Sequence, residues 1–405
     1  MHHKTRRGLA ALLLGALSVM PIITETAVAA DYVDGAQAGR GDRLVGANFA
    51  GRSEIIAKNG AAATSQPLAT QVAISILQQG GSAVDAAIAA NATLGLVEPT
   101  GSGMGGDLFA LIWEPKQKKV VGLNASGRAP KGQSLDDLVK RLGPGKMIPS
   151  HGSLSVTVPG AVAGWFELHR KYGKLPIEKV LAPAIAYAND GFPLSPFIAK
   201  GWAANFRRFD QMGGVIEELD NARKTYLIDG KAPVAGQVFR NPDLAKSLAI
   251  VAKGGHDAYY KGPIAKTIDA YMKRIGGPLR YEDFADFKAQ WVEPISTNYR
   301  GYDVWQIPPN GQGLATLQML NILEGYDLKS MGHNSADFIH VSVEAKKLAF
   351  ADRSRWYADQ EFVKLPISTL ISKDYAAKRR AQIDMKKAGA PETGIMPESH
   401  DTIFL

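Results

Sequence analysis

Two helical patterns separated by a pair of glycines form the clearest hydrophobic pattern in the first third of the chain. Between Pro67 and Gln79 the apolar residues recur three or four positions apart, on one face of a helix, and Gly80-Gly81 ends that pattern. Ser82 and Asp85 have the spacing of a capping box, so we predict a second helix from Ala83 to about Leu94. This helix is rich in alanine nearly all round, which indicates close packing inside a layered fold.

Strand patterns occur in two places. Leu108–Trp113 and Lys119–Leu123 are apolar runs that flank a polar turn, which predicts a strand pair. Trp291–Ile307 predicts two further strands that turn at Arg300-Gly301. Because helices and strands are mixed along the chain, and neither a repeat nor a convincing linker separates them, we predict one helix-rich α/β unit without separable domains.

Further helices are predicted from apolar spacing and from the residues that begin and end helices. Pro183 interrupts one of these patterns and is expected to split or kink that helix. The other predicted helices are Pro159–Tyr172, one that begins at Asn241-Pro242 and ends at Gly254-Gly255, Leu314–Leu323, and about Ser335–Asp352.

The N-terminus has the pattern of a secretory leader. Basic residues precede the apolar run Leu9–Ile23, and small residues follow at Ala27-Val28-Ala29-Ala30. The apolar run is too short for a comfortable membrane span, and Pro21 interrupts it. We therefore predict a signal peptide over residues 1–29, a mature chain that starts near Asp31, a periplasmic or secreted location, and no membrane span after the leader is removed.

The composition of the chain argues against several classes of function. The 405 residues are 45% hydrophobic and 21% charged, which is ordinary for a globular enzyme, and the net charge of +8 is spread along the chain. Lys378-Arg379-Arg380 is the densest basic run and is best interpreted as a solvated helix face, so nucleic-acid binding is not expected. Without cysteine there is no disulfide, thiol nucleophile or Cys-based metal site.

Metal ions and other cofactors are not expected either. His340 and Glu344 lie one helical turn apart, but the sequence shows no third ligand, and such a pair is usually a contact within a helix.

Two glycine-rich loops require interpretation. Gly101–Gly106 satisfies G-x-G-x-x-G, but a helix precedes it and a strand follows, the reverse of the order in dinucleotide-binding folds. That order rejects a nucleotide-binding oxidoreductase, and we interpret the loop as a tight connection that allows close approach of the backbone. Pro309–Gly313 does have the order strand, loop, helix, so it is either an anion site or simply the start of a helix.

The same segments carry a family likeness. From about residue 50 to the end, blocks of the chain resemble the γ-glutamyltranspeptidases in the same order. The blocks are Ala63–Ala69, Gly80–Ala87, Val97–Pro99, Gly103–Gly106, Val158–Gly164, Tyr172–Pro176, Gly191–Pro193, Tyr299–Tyr302, Leu320–Gly325 and Glu344–Arg353.

The resemblance implies an N-terminal-nucleophile hydrolase fold, an αββα sandwich assembled from two subunits of one precursor. It implies that residues 30–401 are the helix-rich large subunit, a single domain, and that residues 402–405 begin the small subunit. It also implies transfer of a γ-glutamyl group from a donor such as glutathione to an amino acid, a peptide or water.

In that family a precursor is cut before a threonine, and the bond between Asp401 and Thr402 matches this position. Cleavage makes Thr402 both nucleophile and base, because its new α-amine has a reference pKa of about 7.7–8.0 and can accept the proton of its own hydroxyl. The first cut requires attack of the Thr402 hydroxyl on the Asp401 carbonyl, an acyl shift to an ester, and hydrolysis. His400 is interpreted as structural, because consecutive side chains of an extended strand point to opposite faces.

The donor's α-carboxylate requires a cation, and arginine suits this role through bidentate pairing. The family usually has an arginine shortly before an Ala-Pro step; here Ser126 stands at that position and Arg128 follows two residues later. A shift of two residues in an extended chain keeps the same face, so Arg128 is either the substrate-binding cation or an ordinary surface arginine.

This departure leaves two alternatives to a γ-glutamyltransferase. One is a cephalosporin-acylase-like amidase of the same family, which takes other acyl groups. The other is a truncated, non-catalytic binding or interaction module. In the enzymatic interpretation most substrate contacts come from the small subunit, so the 405-residue polypeptide is expected to be inactive by itself.

Overall fold

The computed structural model describes residues 55–394, together with the backbone of two short strands, β1 (Gln37–Ala38) and β2 (Leu44–Val45), which pair antiparallel. The chain divides into two units, Met1–Gly60 and Ala61–Leu405. The predicted signal peptide, His400, Asp401 and Thr402 lie outside the described residues and remain predictions.

The helical pair is confirmed. Helix α1 (Pro67–Gln78) begins where the Gln66 side chain accepts hydrogen bonds from two backbone amides of its first turn. Helix α2 (Ala83–Val97) begins at the predicted capping box, in which Ser82 and Asp85 each bind the other's backbone amide, and it ends three residues later than predicted. The alanine-rich surface of α2 is buried, as the pattern indicated.

A three-stranded antiparallel sheet follows in the order β3 (Leu108–Glu114), β4 (Lys119–Ala125) and β7 (Gln290–Val292). The predicted pair β3 and β4 is confirmed, in a register that places Leu108 opposite Ala125. Helix α4 (Ala161–Tyr172) lies against one face, where a Cβ atom on Gly164 would meet the Leu108 side chain at 2.8 Å.

The other face of strand β3 is apolar and open. Every second side chain of this edge strand points away from the core: Phe109, Leu111 and Trp113 are 44%, 41% and 58% exposed. Large apolar side chains in a row are unusual on a surface that has no partner. This face is therefore a candidate for contact with further polypeptide.

The second predicted strand region is more complex than expected. A hairpin of β8 (Ile295–Tyr299) and β9 (Tyr302–Gln306) turns at Arg300 and Gly301, both with positive φ, as predicted. The prediction of only two strands here was wrong, because β7 precedes them and belongs to the sheet of β3 and β4. Pro294, which has no amide hydrogen, lies between the two sheets.

Two helix predictions need correction. Helix α5 (Ile177–Asp190) runs through Pro183 as one helix, so the predicted split was wrong. Burial of Val180, Leu181 and Ala184 around this proline stabilises the helix despite the missing hydrogen bond. Helix α8 (Pro242–Tyr260) does lose helical geometry at Gly255, as predicted, but the chain then resumes as helix up to Tyr260.

The remaining elements complete the fold. Helices α11 (Gly313–Leu323) and α13 (Ala336–Trp356) confirm two predictions, although α13 extends four residues further. The other elements are α3 (Leu135–Leu142), β5 (Phe192–Pro193), α6 (Pro196–Gln211), α7 (Leu219–Tyr226), β6 (Val238–Phe239), α9 (Pro263–Ile275), α10 (Tyr281–Ala285), α12 (Leu328–Met331), α14 (Ile367–Leu370) and α15 (Lys373–Arg380). No helix within residues 55–394 has the length and apolar character that crossing a membrane requires.

Candidate active site around Arg128

Arg128 lies three residues beyond the end of β4, in a backbone that its neighbours hold closely. Its carbonyl accepts the amide of Val158 at 2.9 Å, and the amide of Gly127 donates to Asp107 at 3.0 Å. A Cβ atom at Gly127 would lie 1.8 Å from the Val158 carbonyl oxygen, so this position requires glycine. The approach to Arg128 is therefore fixed by the backbone on both sides.

The first glycine-rich loop has a structural role in this approach. The Gly106 carbonyl accepts the amides of Gly160 and Ala161, both at 2.9 Å, at the beginning of α4. Tyr259 donates its hydroxyl to the Met104 carbonyl at 2.8 Å. The Gly106 carbonyl thus already accepts the α4 amides that a bound phosphate would need. This supports the interpretation of the loop as a tight connection and not as a nucleotide site.

The guanidinium of Arg128 is paired with carboxylates. It donates to Glu361 at 2.6 Å and lies 3.9 Å from Asp359, and its side chain is 41% exposed. The hydrogen bond to Glu361 raises the pKa of Arg128, although burial opposes the shift. The same hydrogen bond, with a second one from Gln290 at 2.6 Å, lowers the pKa of Glu361. Both partners are therefore charged at neutral pH.

A network of amides and a hydroxyl lies next to this ion pair. The Asn124 carboxamide donates to Asn310 at 2.9 Å, and Asn310 donates to the Ser126 hydroxyl at 2.9 Å. Ser126 in turn donates to Asn124 at 2.8 Å. Gln360 donates to the Pro309 carbonyl at 2.8 Å. The network joins the end of β4 to the loop before α11 and to the segment after α13.

We call these residues the Arg128 cluster. Its members are Asp107, Asn124, Ser126, Arg128, Gln290, Asn310, Asp359, Gln360 and Glu361. Within this cluster two carboxylates, Asp359 and Glu361, pair with the Arg128 guanidinium, and Ser126, at the position where the family usually has an arginine, is neutral. An anionic group that binds Arg128 would compete with these carboxylates for its N–H donors.

Sequence reasoning found Arg128 and the loop that contains Asn310 but missed the carboxylates. Asn310 lies in the second glycine-rich loop, at a strand end before a helix, as predicted. Glu361 lies 233 positions from Arg128 and carries no local motif, so nothing in its sequence neighbourhood indicated the contact. No local sequence pattern separates Asp359 from an ordinary loop carboxylate either.

The possible metal pair has other partners. His340 bonds the Asp384 carbonyl at 2.8 Å, and Glu344 accepts the Lys347 ammonium at 2.7 Å. Among residues 55–394, no group of three or more His, Cys, Asp or Glu side chains is arranged to hold a metal ion.

Comparison with known proteins decides the family. A family model described as Gamma-glutamyltranspeptidase matches residues 69–405, most of the chain. The chain belongs to the γ-glutamyltranspeptidase family. The chain is also 36% identical over 345 residues to the Glutathione hydrolase proenzyme of Escherichia coli (strain K12), covering 84% of this chain and 58% of that protein. It is likewise 36% identical over 351 residues to the Acylase ACY 1 proenzyme of Pseudomonas sp. (strain SE83), covering 85% and 62%.

Solved structures show the same fold. The cephalosporin acylase from Bacillus halodurans matches with a TM-score of 0.79 and 41% identity, over 86% of this chain and 64% of that one. The Helicobacter pylori gamma-glutamyltranspeptidase matches with a TM-score of 0.74 and 31% identity, over 82% and 94%. The predicted fold class, α/β of the N-terminal-nucleophile hydrolase type, is confirmed. The chain spans about three fifths of the length of the curated relatives that it matches.

Proposed function

We propose that this chain is the large-subunit portion of a precursor that transfers or hydrolyses the γ-glutamyl group of glutathione-type amides. The observation that carries the proposal is the family match, whose bounds, residues 69–405, include the Asp401–Thr402 step. Two kinds of relative support it, because both the glutathione hydrolase and the acylase are named proenzymes. Amino acids, peptides or water are the acceptors.

Thr402 is the proposed nucleophile. In the precursor its hydroxyl attacks the Asp401 carbonyl, the shift from amide to ester frees the Thr402 α-amine, and water then cleaves the ester to give the Asp401 carboxylate and the Thr402 hydroxyl. In the mature enzyme that amine takes the hydroxyl proton while the oxygen attacks the donor's amide carbonyl. The leaving amine departs with a proton, and an acceptor amine or water then takes the acyl group from Thr402.

Arg128 is the proposed anchor for the donor's α-carboxylate. It lies at the end of an interior strand, on a backbone fixed by Val158 and Asp107, and a guanidinium can pair with a carboxylate through two parallel hydrogen bonds. One guanidinium nitrogen donates to Glu361, so a donor carboxylate that pairs through that nitrogen competes with Glu361 for Arg128.

The proposed partner of this chain is the small subunit of the same precursor. The open apolar face of β3 supports this, because Phe109, Leu111 and Trp113 are large, exposed and adjacent on one strand face. The matched relatives are also long enough to supply further polypeptide for that face. The leader predicted over residues 1–29 supports export to the periplasm or beyond, and the proposed chemistry uses no cofactor.

Intact mass of the complete precursor, extended to the length of its relatives, tests the function. We expect two pieces that separate before Thr402, one unsevered piece for Thr402→Ala, and normal cleavage for the matched hydroxyl control Ser399→Ala. The separated product should release p-nitroaniline from a γ-glutamyl anilide, whereas the 405-residue polypeptide should not. An unsevered, inactive wild-type product would overturn the proposal and favour a binding or interaction module.

A second candidate is a cephalosporin-acylase-like amidase. Two observations favour it: Ser126 is neutral where the family usually has an arginine, and Glu361 already occupies Arg128. The comparison that discriminates is kcat/KM of the mature enzyme for γ-glutamyl and glutaryl anilides, which differ by the α-amino group. A clear preference for glutaryl would favour the acylase, and a clear preference for γ-glutamyl would favour the transferase.

A further inference from the structure

The last described segment of the chain, residues 389–394, has no regular secondary structure but is held along helices α13 and α15 by its backbone. Four side chains, which we call the anchor residues, bind it. The contacts are Glu344 with the Gly389 amide at 3.1 Å, Lys347 with the Gly389 carbonyl at 2.7 Å, Arg379 with the Glu392 carbonyl at 2.9 Å, and Asp352 with the Gly394 amide at 2.8 Å.

The anchor residues form two ion pairs, Glu344–Lys347 and Asp352–Arg379, and the second pair is buried. Asp352 and Arg379 are 0% and 2% exposed and lie 3.2 Å apart. The other carboxylate oxygen of Asp352 accepts hydrogen bonds from Tyr375 and Gln318, both at 2.9 Å. A buried ion pair is a weak source of stability compared with apolar residues of the same size, since both charges lose their water. The best-attested use of a buried ion pair is to select one arrangement of the chain among several.

Glu344, which lies earlier on α13 than Asp352, also holds the segment in place. It is 4% exposed and accepts both the Lys347 ammonium and the Gly389 amide. Although burial opposes ionisation, these two hydrogen bonds hold the pKa of Glu344 below its ordinary value. The carboxylate is therefore charged at neutral pH, and Lys347 bridges it to the Gly389 carbonyl.

The anchored segment lies close in sequence to the proposed cleavage point. Thr402 is the eighth residue after Gly394, a reach of at most about 29 Å for an extended chain. Without the anchor, the last point held by a contact to another element is the Asp384 carbonyl, which His340 binds, eighteen residues before Thr402. Because the effective concentration of a tethered group falls with about the −3/2 power of tether length, the anchor raises that of Thr402 relative to the rest of the fold about threefold.

We propose that Glu344, Lys347, Asp352 and Arg379 are positioning residues for autocleavage, which fix the start of the eight-residue run that ends at Thr402. This inference rests on the proposed cleavage before Thr402. It goes beyond it by assigning a role in processing to charged residues that hold the segment 389–394. These residues affect the rate at which the precursor is cleaved, and they leave turnover by the mature enzyme unchanged.

Two substitutions disturb the anchoring without removing a buried charge. A Cβ atom at Gly394 would lie 1.8 Å from the Tyr375 hydroxyl, so Gly394→Ala displaces the segment, whereas Gly201→Ala meets nothing within 4 Å and is the matched control. Lys347→Met removes the bond to the Gly389 carbonyl. Lys346→Met is its control, since the Lys346 ammonium lies over the Phe350 ring.

The experiment follows subunit formation by intact mass after cell-free synthesis of the complete precursor. We expect Gly394→Ala and Lys347→Met to slow cleavage about threefold or more, Lys347→Arg to keep the wild-type rate, and both controls to match wild type. Thermal midpoints are measured in the uncleavable Thr402→Ala background, and kcat/KM is measured on whatever product has separated.

Wild-type cleavage rates in both variants would overturn the inference. So would a slowing that tracks the loss of thermal midpoint and also occurs in Lys347→Arg, because that is the signature of a merely structural contact. If the wild-type precursor itself stays in one piece, the proposed function fails and this inference falls with it. If the wild-type precursor is cleaved normally and only the variants are slow, the proposed function stands and the role of the anchor residues is supported.

Discussion

At the scale of single residues, the sequence pointed to Arg128 but not to what surrounds it. Arg128 was singled out because the family resemblance places an arginine shortly before an Ala-Pro step, and its role as a carboxylate-binding cation stays a prediction. Glu361 and Asp359 were not, since their contact with Arg128 is made only when segments more than 230 positions apart meet. Long-range pairing of charges is a property of the fold that no local spacing encodes.

The competition between Glu361 and a donor carboxylate leads to the first prediction. In the mature enzyme, Glu361→Gln should lower KM for a γ-glutamyl donor about two- to fivefold, because the donor carboxylate then no longer competes with a charged side chain, and an exposed ion pair of this kind is weak. The matched control is Glu293→Gln, a carboxylate that is 87% exposed and 3.9 Å from Lys119 on the same sheet. An unchanged or higher KM in Glu361→Gln alone would contradict the role of Arg128 as anchor.

The pH dependence of this effect follows from the lowered pKa of Glu361. A carboxylate whose pKa is depressed in the folded protein keeps its pairing above the ordinary value and loses it only as the pH falls through the lower value. The KM ratio of wild type to Glu361→Gln should therefore be constant from about pH 6 to pH 8 and approach one only below the ordinary pKa of about 4.3. A midpoint between pH 6 and pH 8 would mean that another group controls access to Arg128.

At the scale of secondary-structure elements, local signals worked wherever the residues themselves terminate an element. The capping box at Ser82, the glycine pair at Gly254-Gly255 and the positive-φ turn at Arg300-Gly301 all appear where predicted. The errors arise where tertiary packing determines how an element continues or pairs. Helix α5 tolerates Pro183 because its flanks are buried, and β7 leaves its neighbours because β4 offers an edge.

The close approach of β4 to the start of α4 gives a prediction at this scale. A Cβ atom at Gly160 would lie 1.9 Å from the Ala125 carbonyl oxygen, whereas one at Gly105 would meet nothing within 4 Å. Gly160→Ala should therefore lower the free energy of unfolding by about 1–3 kcal/mol through overpacking, and Gly105→Ala should change it little. Urea unfolding of the two variants provides the measurement, and equal midpoints would show that the approach is not tight.

At the scale of the whole molecule, the fold class was predictable because ordered blocks of sequence resemble one family throughout. The open apolar face was not predictable, since alternation along β3 shows that one face differs from the other but does not show which face is covered. The structure shows that α4 covers the side of Leu108, and that the side of Phe109, Leu111 and Trp113 is open. Large apolar side chains in a row are unusual on a free surface, which is why we propose that the small subunit covers this face.

Hydrogen exchange tests whether further polypeptide covers that face. The peptide Leu108–Glu114 should exchange more slowly in the complete, processed protein than in the 405-residue polypeptide. The control is α6 (Pro196–Gln211), which should exchange alike in both. Equal exchange at β3 in the two proteins would show that the proposed small subunit does not cover this face.

The central claim is that breaking the bond before Thr402 makes the active enzyme. The most direct test is the intact mass of the complete gene product, measured alongside its release of p-nitroaniline from a γ-glutamyl anilide. The account predicts two pieces, the smaller beginning at Thr402, and activity that appears only as they form. A complete wild-type polypeptide that turns over the anilide while its mass shows a single unbroken chain would contradict the account.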